Sequence, residues 1–212
     1  MKIINNKEDA IQELKRISTR TNSENNNKIK AIVEEILQEV KLYGDIAVKK
    51  YTRKFDGFNP EPMQVRNEEL KDAWNKIDSS LKHSLEVAYK RVKKFHEKEI
   101  PSSFSIKGEY GDTVQRRWRP VKSAGIYIPG GRAAYPSTVL MNAIPAKVAG
   151  VEEIIMVSPG NAVGEIDKTV LAAAHLSGIN KVFRIGGAQA IGALAFGTNQ
   201  INKVDVITGP GN

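Results

Sequence analysis

Apolar residues at positions 29, 33, 36, 40 and 43 (Ile29, Val33, Ile36, Val40, Tyr43) recur at steps of three and four, the spacing of one helical face. Gly44-Asp45 interrupts that pattern, and Asp45 is placed to cap a second helix that carries Ile46, Val48 and Tyr51 and stops at Asp56-Gly57. Leu70, Trp74 and Ile77 predict a short helix. Ser79 or Ser80 then caps a longer one, with Leu81, Leu85, Ala88, Val92 and Phe95 on one face and Pro101 as its stop. Trp74 and Phe95 read as core residues. Upstream, Ile11, Leu14 and Ile17 mark a short helix, and the polar run from Ser18 to Asn27 reads as a linker. Residues 1–26 are therefore expected to form an arm, whose single apolar stripe needs a surface such as a partner subunit to cover.

The pattern changes twice further on. Residues 105–120 alternate as strand does, with Gly111-Asp112 as the turn. From Ala124 one unit repeats: a short β-branched run, a Gly/Pro turn and an Ala-rich helix. The strands are expected at 125–128, 153–157, 181–185 and 204–207, and the helices at 137–149, 166–177 and 189–196. Strands alternating with helices of this length imply βαβ units and a parallel sheet. The uninterrupted apolar run Ile154-Ile155-Met156-Val157 fits a strand covered on both faces. Pro145 is expected to kink its helix or to open a new turn after Ile144. The fold class is thus α/β: a helix-rich part over 27–123, then a parallel-sheet domain over 124–212.

Composition narrows the function classes. The chain has 212 residues, a net charge of +8 and no cysteine, so disulfides and thiolate metal sites are excluded. No stretch approaches the ~20 apolar residues of a membrane span, and the charged start lacks the apolar run of a signal peptide. A cytoplasmic protein without membrane association is expected. The excess charge is dispersed, with 25 Lys/Arg against 19 Asp/Glu in residues 1–120. The one-sign runs Lys90-Arg91-Val92-Lys93-Lys94 and Arg116-Arg117-Trp118-Arg119 are short, and read as solvated surface rather than a nucleic-acid footprint.

Each strand of the repeating unit ends in a glycine- or proline-bearing turn: Pro129-Gly130-Gly131, Ser158-Pro159-Gly160, Gly186-Gly187-Ala188-Gln189 and Gly209-Pro210-Gly211-Asn212. In an open parallel sheet these turns gather at the carboxyl edge, where backbone N–H groups and helix N-termini face a crevice suited to an anionic ligand. Neither G-x-G-x-x-G nor a Walker A sequence is present. Three polar residues stand on these turns. Tyr127 could wall a pocket or be a half-buried structural tyrosine. Gln189 could face the crevice or cap its helix. Asn212 follows the last strand and could present its amide there or be a frayed terminus with no role. The three histidines, His83, His96 and His175, have no partners at metal-ligand spacing, so no metal site is expected within the chain.

The stretches GIYIPGGRAAYPSTVLMNAIPAKVAGVEEIIMVSP, GINKVFRIGGAQAIGALAFGT and KVDVITGPGN, with VKLYGDIAVKKYTRKFDG upstream, closely resemble the histidinol dehydrogenase family over nearly the whole chain. The resemblance implies two incomplete Rossmann-like domains, of which the first is truncated here, and a homodimer or a complementary C-terminal half as partner. It implies oxidation of L-histidinol to L-histidine through the aldehyde in two NAD-dependent steps, the last of histidine biosynthesis. It assigns NAD contacts to the tyrosine of Y-x-P-G-G, the glutamine of G-G-A-Q-A and the asparagine of G-P-G-N, here Tyr127, Gln189 and Asn212. The family's zinc ligands and Glu–His acid/base pair lie beyond G-P-G-N, so no catalytic or zinc residue is assigned to this chain. The helical part is then expected to expose apolar surface over 28–120.

Overall fold

Four short apolar runs become one parallel sheet in the computed structural model, which describes residues 3–18, 24–130 and 134–210. Five helices come first: α1 (Lys7–Ser18), α2 (Glu24–Tyr43), α3 (Asp45–Asp56), α4 (Asn67–Lys76) and α5 (Ser79–His96). An antiparallel hairpin follows, β1 (Phe104–Lys107) with β2 (Thr113–Arg116), closed where expected by a bond from the Gly108 N–H to the Asp112 carbonyl at 2.8 Å. The alternating unit then supplies β3 (Ser123–Tyr127), α6 (Pro136–Ala149), β4 (Glu153–Val157), α7 (Lys168–Leu176), β5 (Lys181–Phe183), α8 (Gly187–Phe196) and β6 (Val206–Thr208).

The sheet order is β5-β4-β3-β6, and all three pairings are parallel. The chain steps outward from β3 to β4 to β5, then returns to lay β6 on the other side of β3. The order therefore reverses between β3 and β6. The alternation of a strand sorts its side chains between two cores. Ile126, Ile154, Met156 and Val182 join α4, α5, α6 and α7 on one face. Ile155, Val157 and Phe183 join α2, α3 and α8 on the other. Fully burying an aliphatic side chain of this size contributes about 1.5–3 kcal/mol, which makes these two faces the main source of stability. Both cores take residues from either side of position 124.

The free edge of β5 is paired by the segment after α3. The Val65 N–H donates to the Val182 carbonyl at 2.8 Å, and the Arg184 N–H donates to the Met63 carbonyl at 2.9 Å. At the amino end of the sheet the Asp205 carboxylate accepts from the backbone N–H of Lys122 and of Ser123, each at 3.0 Å, which docks the start of β6 against β3.

Several expectations are corrected. Gly44, not Asp45, occupies the N-cap of α3, and Asp45 is the first helical residue. Asp78 caps α5 in place of Ser79 or Ser80, its carboxylate accepting from the Leu81 N–H at 2.8 Å. The polar run thought to be a linker already contains the start of α2 at Glu24, while residues 19–23 lie outside the described residues. Phe95 is 64 % exposed rather than core, because α5 has run past the helices it packs on, whereas Trp74 does pack against the first core. Tyr43, Ile29 and Ile46, assigned to buried stripes, are exposed too. Pro145 lies within α6, which continues through it to Ala149. Exposed apolar side chains are numerous over 28–120, among them Ile32, Phe55, Phe104, Ile106 and Val114, and α1 exposes Ile11, Leu14 and Ile17. Among the described residues no helix is long and apolar enough to cross a membrane.

The Asp205 carboxyl sits below the usual aspartate range, chiefly because the Ser123 N–H donates to it. A depressed carboxyl pKa contributes stability that is present above the unfolded pKa and is lost as pH falls through the folded one. Asp205→Ala is therefore expected to lower the urea midpoint near neutral pH and to narrow its gap from wild type as the medium is acidified below the ordinary aspartate pKa. Urea titrations over that acid range check this, and a gap independent of pH contradicts it.

Candidate functional site

The carboxyl ends of β3 and β6 flank the place where the strand order reverses, and the amino end of α8, which crosses to the second face after β5, comes to lie against them. Such a switch point leaves a crevice between the strand ends, where open α/β sheets bind their ligands. Here it is a cleft of ≈ 380 Å³ lined by Tyr127, Gly187, Ala188, Ile191, Ile207, Thr208 and Gly209. Its floor is apolar, and its rim is backbone and hydroxyl, a composition suited to a ligand with a flat apolar part and polar attachments.

Tyr127 ends β3 and is half-buried, its ring packed against the second core. Its hydroxyl accepts a hydrogen bond from the backbone N–H of Gly187 at 3.2 Å. Gly187 opens α8 with φ +62, a left-handed conformation that side chains disfavour. On the far side of the cleft Gly209 presses against Tyr127. A Cβ at 209 would fall 2.2 Å from the Tyr127 carbonyl oxygen, so only glycine lets the two strand ends approach this closely. Thr208 is steered by a bond from its hydroxyl to Asn142 Oδ1 at 3.0 Å, and the Asn142 amide in turn donates to the Thr138 carbonyl at 2.8 Å.

Gln189, in the first turn of α8, is 1 % exposed. Neither Nε2 nor Oε1 of its amide has a hydrogen-bond partner among the described residues. The side chain folds back over Gly187, where a Cβ would meet Oε1 at 2.6 Å. It does not cap the helix: the N-cap is Gly186, without a side-chain bond, and no acidic residue stands in the first turn. A buried amide with no partner costs about 1–3 kcal/mol, and this one stands at a helix N-terminus whose first residues, Gly187 and Ala188, line the cleft. The structure thus brings Tyr127 and Gln189 to either side of Gly187. Asn212 lies outside the described residues.

The residues present suit a dinucleotide. The unpaired amide, an N-terminus free of carboxylates and the close backbone approach at Gly187 and Gly209 are features that a phosphate-bearing ligand uses. A zinc ion is not suited in the same way, since no group of three potential ligands converges among the described residues. His96 pairs with Glu99 at 2.5 Å across one exposed turn, and His175 lies 6.3 Å from the Trp74 ring. A second crevice of the carboxyl edge holds an ion pair. In this one, of ≈ 470 Å³, Arg184 donates to both oxygens of Glu69, at 3.0 and 3.2 Å. Burial there raises the Glu69 carboxyl, but the Arg66 N–H and the Arg184 guanidinium outweigh it and hold the pKa down.

Gly187→Ala is expected to destabilise the chain by about 1–2 kcal/mol, the cost of a non-glycine residue in the left-handed region, and to displace the Gln189 amide. Urea denaturation checks the first effect. An unchanged midpoint contradicts the backbone conformation described at 187.

The family model described as histidinol dehydrogenase matches residues 19–212. A histidinol dehydrogenase of Prochlorococcus marinus (strain MIT 9312) is 87 % identical over 212 residues, 100 % of this chain and 48 % of that protein. One from Parasynechococcus marenigrum (strain WH8102) is 47 % identical over the same 212 residues, again 48 % of its own length. The crystal structure of histidinol dehydrogenase from Elizabethkingia anophelis superposes with a TM-score of 0.83 at 37 % identity, over 87 % of this chain and 42 % of that one. The chain spans about half the length of the curated relatives it matches.

Proposed function

The chain belongs to the histidinol dehydrogenase family, and from that premise we propose that the cleft between β3 and β6 receives NAD for the oxidation of L-histidinol to L-histidine through the aldehyde. The observation that carries this reading is the Gln189 amide, buried and without a partner among the described residues at the amino end of α8. Bound NAD supplies a hydride acceptor. The work of this chain is to hold it: Tyr127 walls the cleft, Gln189 offers a donor and an acceptor, and Asn212 completes the trio that the family resemblance assigns. The apolar floor of Ile191 and Ile207 excludes water from the side of the ligand it covers.

The remaining chemistry is assigned to polypeptide that the longer relatives carry. Zinc ligation and proton transfer need converging imidazole and carboxylate groups. No such metal-binding group lies among the described residues, and no step through zinc is derived for this chain. We therefore infer that the isolated chain binds the cofactor without turnover, and that turnover requires a complementary half or a homodimer of the complete protein in the cytoplasm. The exposed apolar side chains of 28–120 support a first domain, residues 27–123, that such polypeptide completes, beside a Rossmann-like domain over 124–212.

Gln189→Leu separates fold from function. Replacing two unpartnered polar atoms by an apolar group of similar volume is expected to raise the stability of the ligand-free chain by about 1–3 kcal/mol, while NAD affinity falls about tenfold or more. Denaturant titration and calorimetric NAD titration on one preparation read both. Unchanged NAD affinity removes Gln189 from the site.

A further inference from the structure

The first amide of α8 is the natural donor for a phosphoryl oxygen, yet in this chain it is taken. Among the described residues no side chain caps the helix, its first turn holds no carboxylate, and the group that accepts from Gly187 N–H is the Tyr127 hydroxyl at 3.2 Å. An ordinary hydrogen bond of this kind closes the N-terminus to a competing acceptor. Behind the same glycine stands the Gln189 amide, 1 % exposed and without a hydrogen-bond partner at either end among the described residues. The two observations are independent, and they fit a donor pair held shut by the tyrosine.

We propose that Tyr127 is a gating residue: its hydroxyl holds the Gly187 amide in the ligand-free chain and yields it to a phosphoryl oxygen of the dinucleotide. This rests on the cofactor reading above and adds to it what the tyrosine does before the ligand arrives. The movement is confined to the side chain. Gly209 backs the Tyr127 carbonyl so closely that a Cβ there would lie 2.2 Å away, which pins the backbone at the end of β3. The half-buried ring has the ≈ 380 Å³ cleft beside it to turn into. Rotation frees the Gly187 N–H and opens the way to Gln189, while the ring goes on walling the cleft. Selectivity follows, because an anionic oxygen that replaces the hydroxyl on that amide also gains from the positive end of α8, which a neutral acceptor does not.

The test compares wild type with Tyr127→Phe, which keeps the ring and removes the competing oxygen. Calorimetric titrations use NAD, inorganic pyrophosphate and nicotinamide riboside, and hydrogen exchange at the Gly187 amide is followed by NMR without ligand. Exchange at Gly187 is expected to quicken in the variant. Pyrophosphate and NAD should bind about fivefold tighter, the worth of one ordinary hydrogen bond, with the riboside held to within about twofold because it lacks the phosphoryl oxygen that competes. Weaker or unchanged pyrophosphate binding by the variant overturns the gate and leaves the cofactor reading intact as long as the wild type binds NAD. A uniform change for all three ligands also overturns it, since that marks a structural role. A wild type that binds no NAD removes the cofactor reading. Tighter pyrophosphate binding by the variant in that case still supports the competition, and absence of pyrophosphate binding to both forms overturns it.

Discussion

A parallel sheet has no face it can leave to water, and that constraint organises this molecule. Parallel strands are joined by crossover helices, so both faces are covered and both sets of alternating side chains turn apolar. In β4 the consequence is an unbroken apolar run, with Ile154 and Met156 entering one core and Ile155 and Val157 the other. Covering two faces with one chain means that the crossovers must change side. They do so once, after β5, when α8 passes to the second face and β6 returns beside β3. The cleft is the geometrical residue of that change, because it lies where the first turns of α8 meet the carboxyl ends of β3 and β6. The site is therefore a product of topology before any of its side chains is considered.

The side chains then use a location that the fold already provides. Gly209 allows β6 to close on Tyr127, and Asp205, near the opposite end of the same strand, fastens it to the start of β3. Anchored at one end and pressed close at the other, a strand as short as β6 holds the wall of the cleft in register. Its outer edge is unpaired among the described residues, in contrast to β5, whose edge is closed by residues 63–65.

Much of this was legible in the amino-acid sequence because it rests on periodicity. The four strands, the three crossover helices and the hairpin turn at Gly111-Asp112 follow from alternation, Ala-rich spacing and glycine. The placing of Tyr127 and Gln189 at the carboxyl edge follows from the turns after their strands. What periodicity could not carry was which helices cover which face. A strand buried on both sides, such as Ile154–Val157, has no polar face to orient it, so the assignment of α4 and α5 to one core and α2 and α3 to the other became visible only in the packing. Caps were displaced by one residue where several polar candidates adjoin: at 78–80 the backbone is extended at Asp78, and that alone selects its carboxylate over two serines. The pairing of Glu69 with Arg184 left no local trace, since the partners are 115 residues apart. Thr208 likewise entered the site only through the register of β6 with β3.

The change in composition at position 124 is not a change in packing. The charged, helical part looks separable because its outward faces are solvated, yet Ile36, Val40, Val48 and Tyr51 share a core with Ile155 and Leu194, and Leu70 and Ala73 share the other with Met156 and Val170. Removing the helical part would thin the cover on both faces of the sheet, and removing the other part would remove the sheet itself. The same helices keep a second apolar surface pointing outward, through Ile32, Phe55 and others, and the hairpin adds Phe104, Ile106 and Val114 on a single side of its two strands. Exposed apolar groups clustered on the faces away from the sheet are not needed for the cores described here. Their pattern is that of surface shaped to be covered, which agrees with relatives twice as long. The chain thus carries two kinds of unfinished contact with different physics. One is the extended apolar surface, which favours polypeptide by area. The other is a buried amide without a partner among the described residues, beside a helix N-terminus whose first N–H is held by the Tyr127 hydroxyl, and it is met by direction rather than by area.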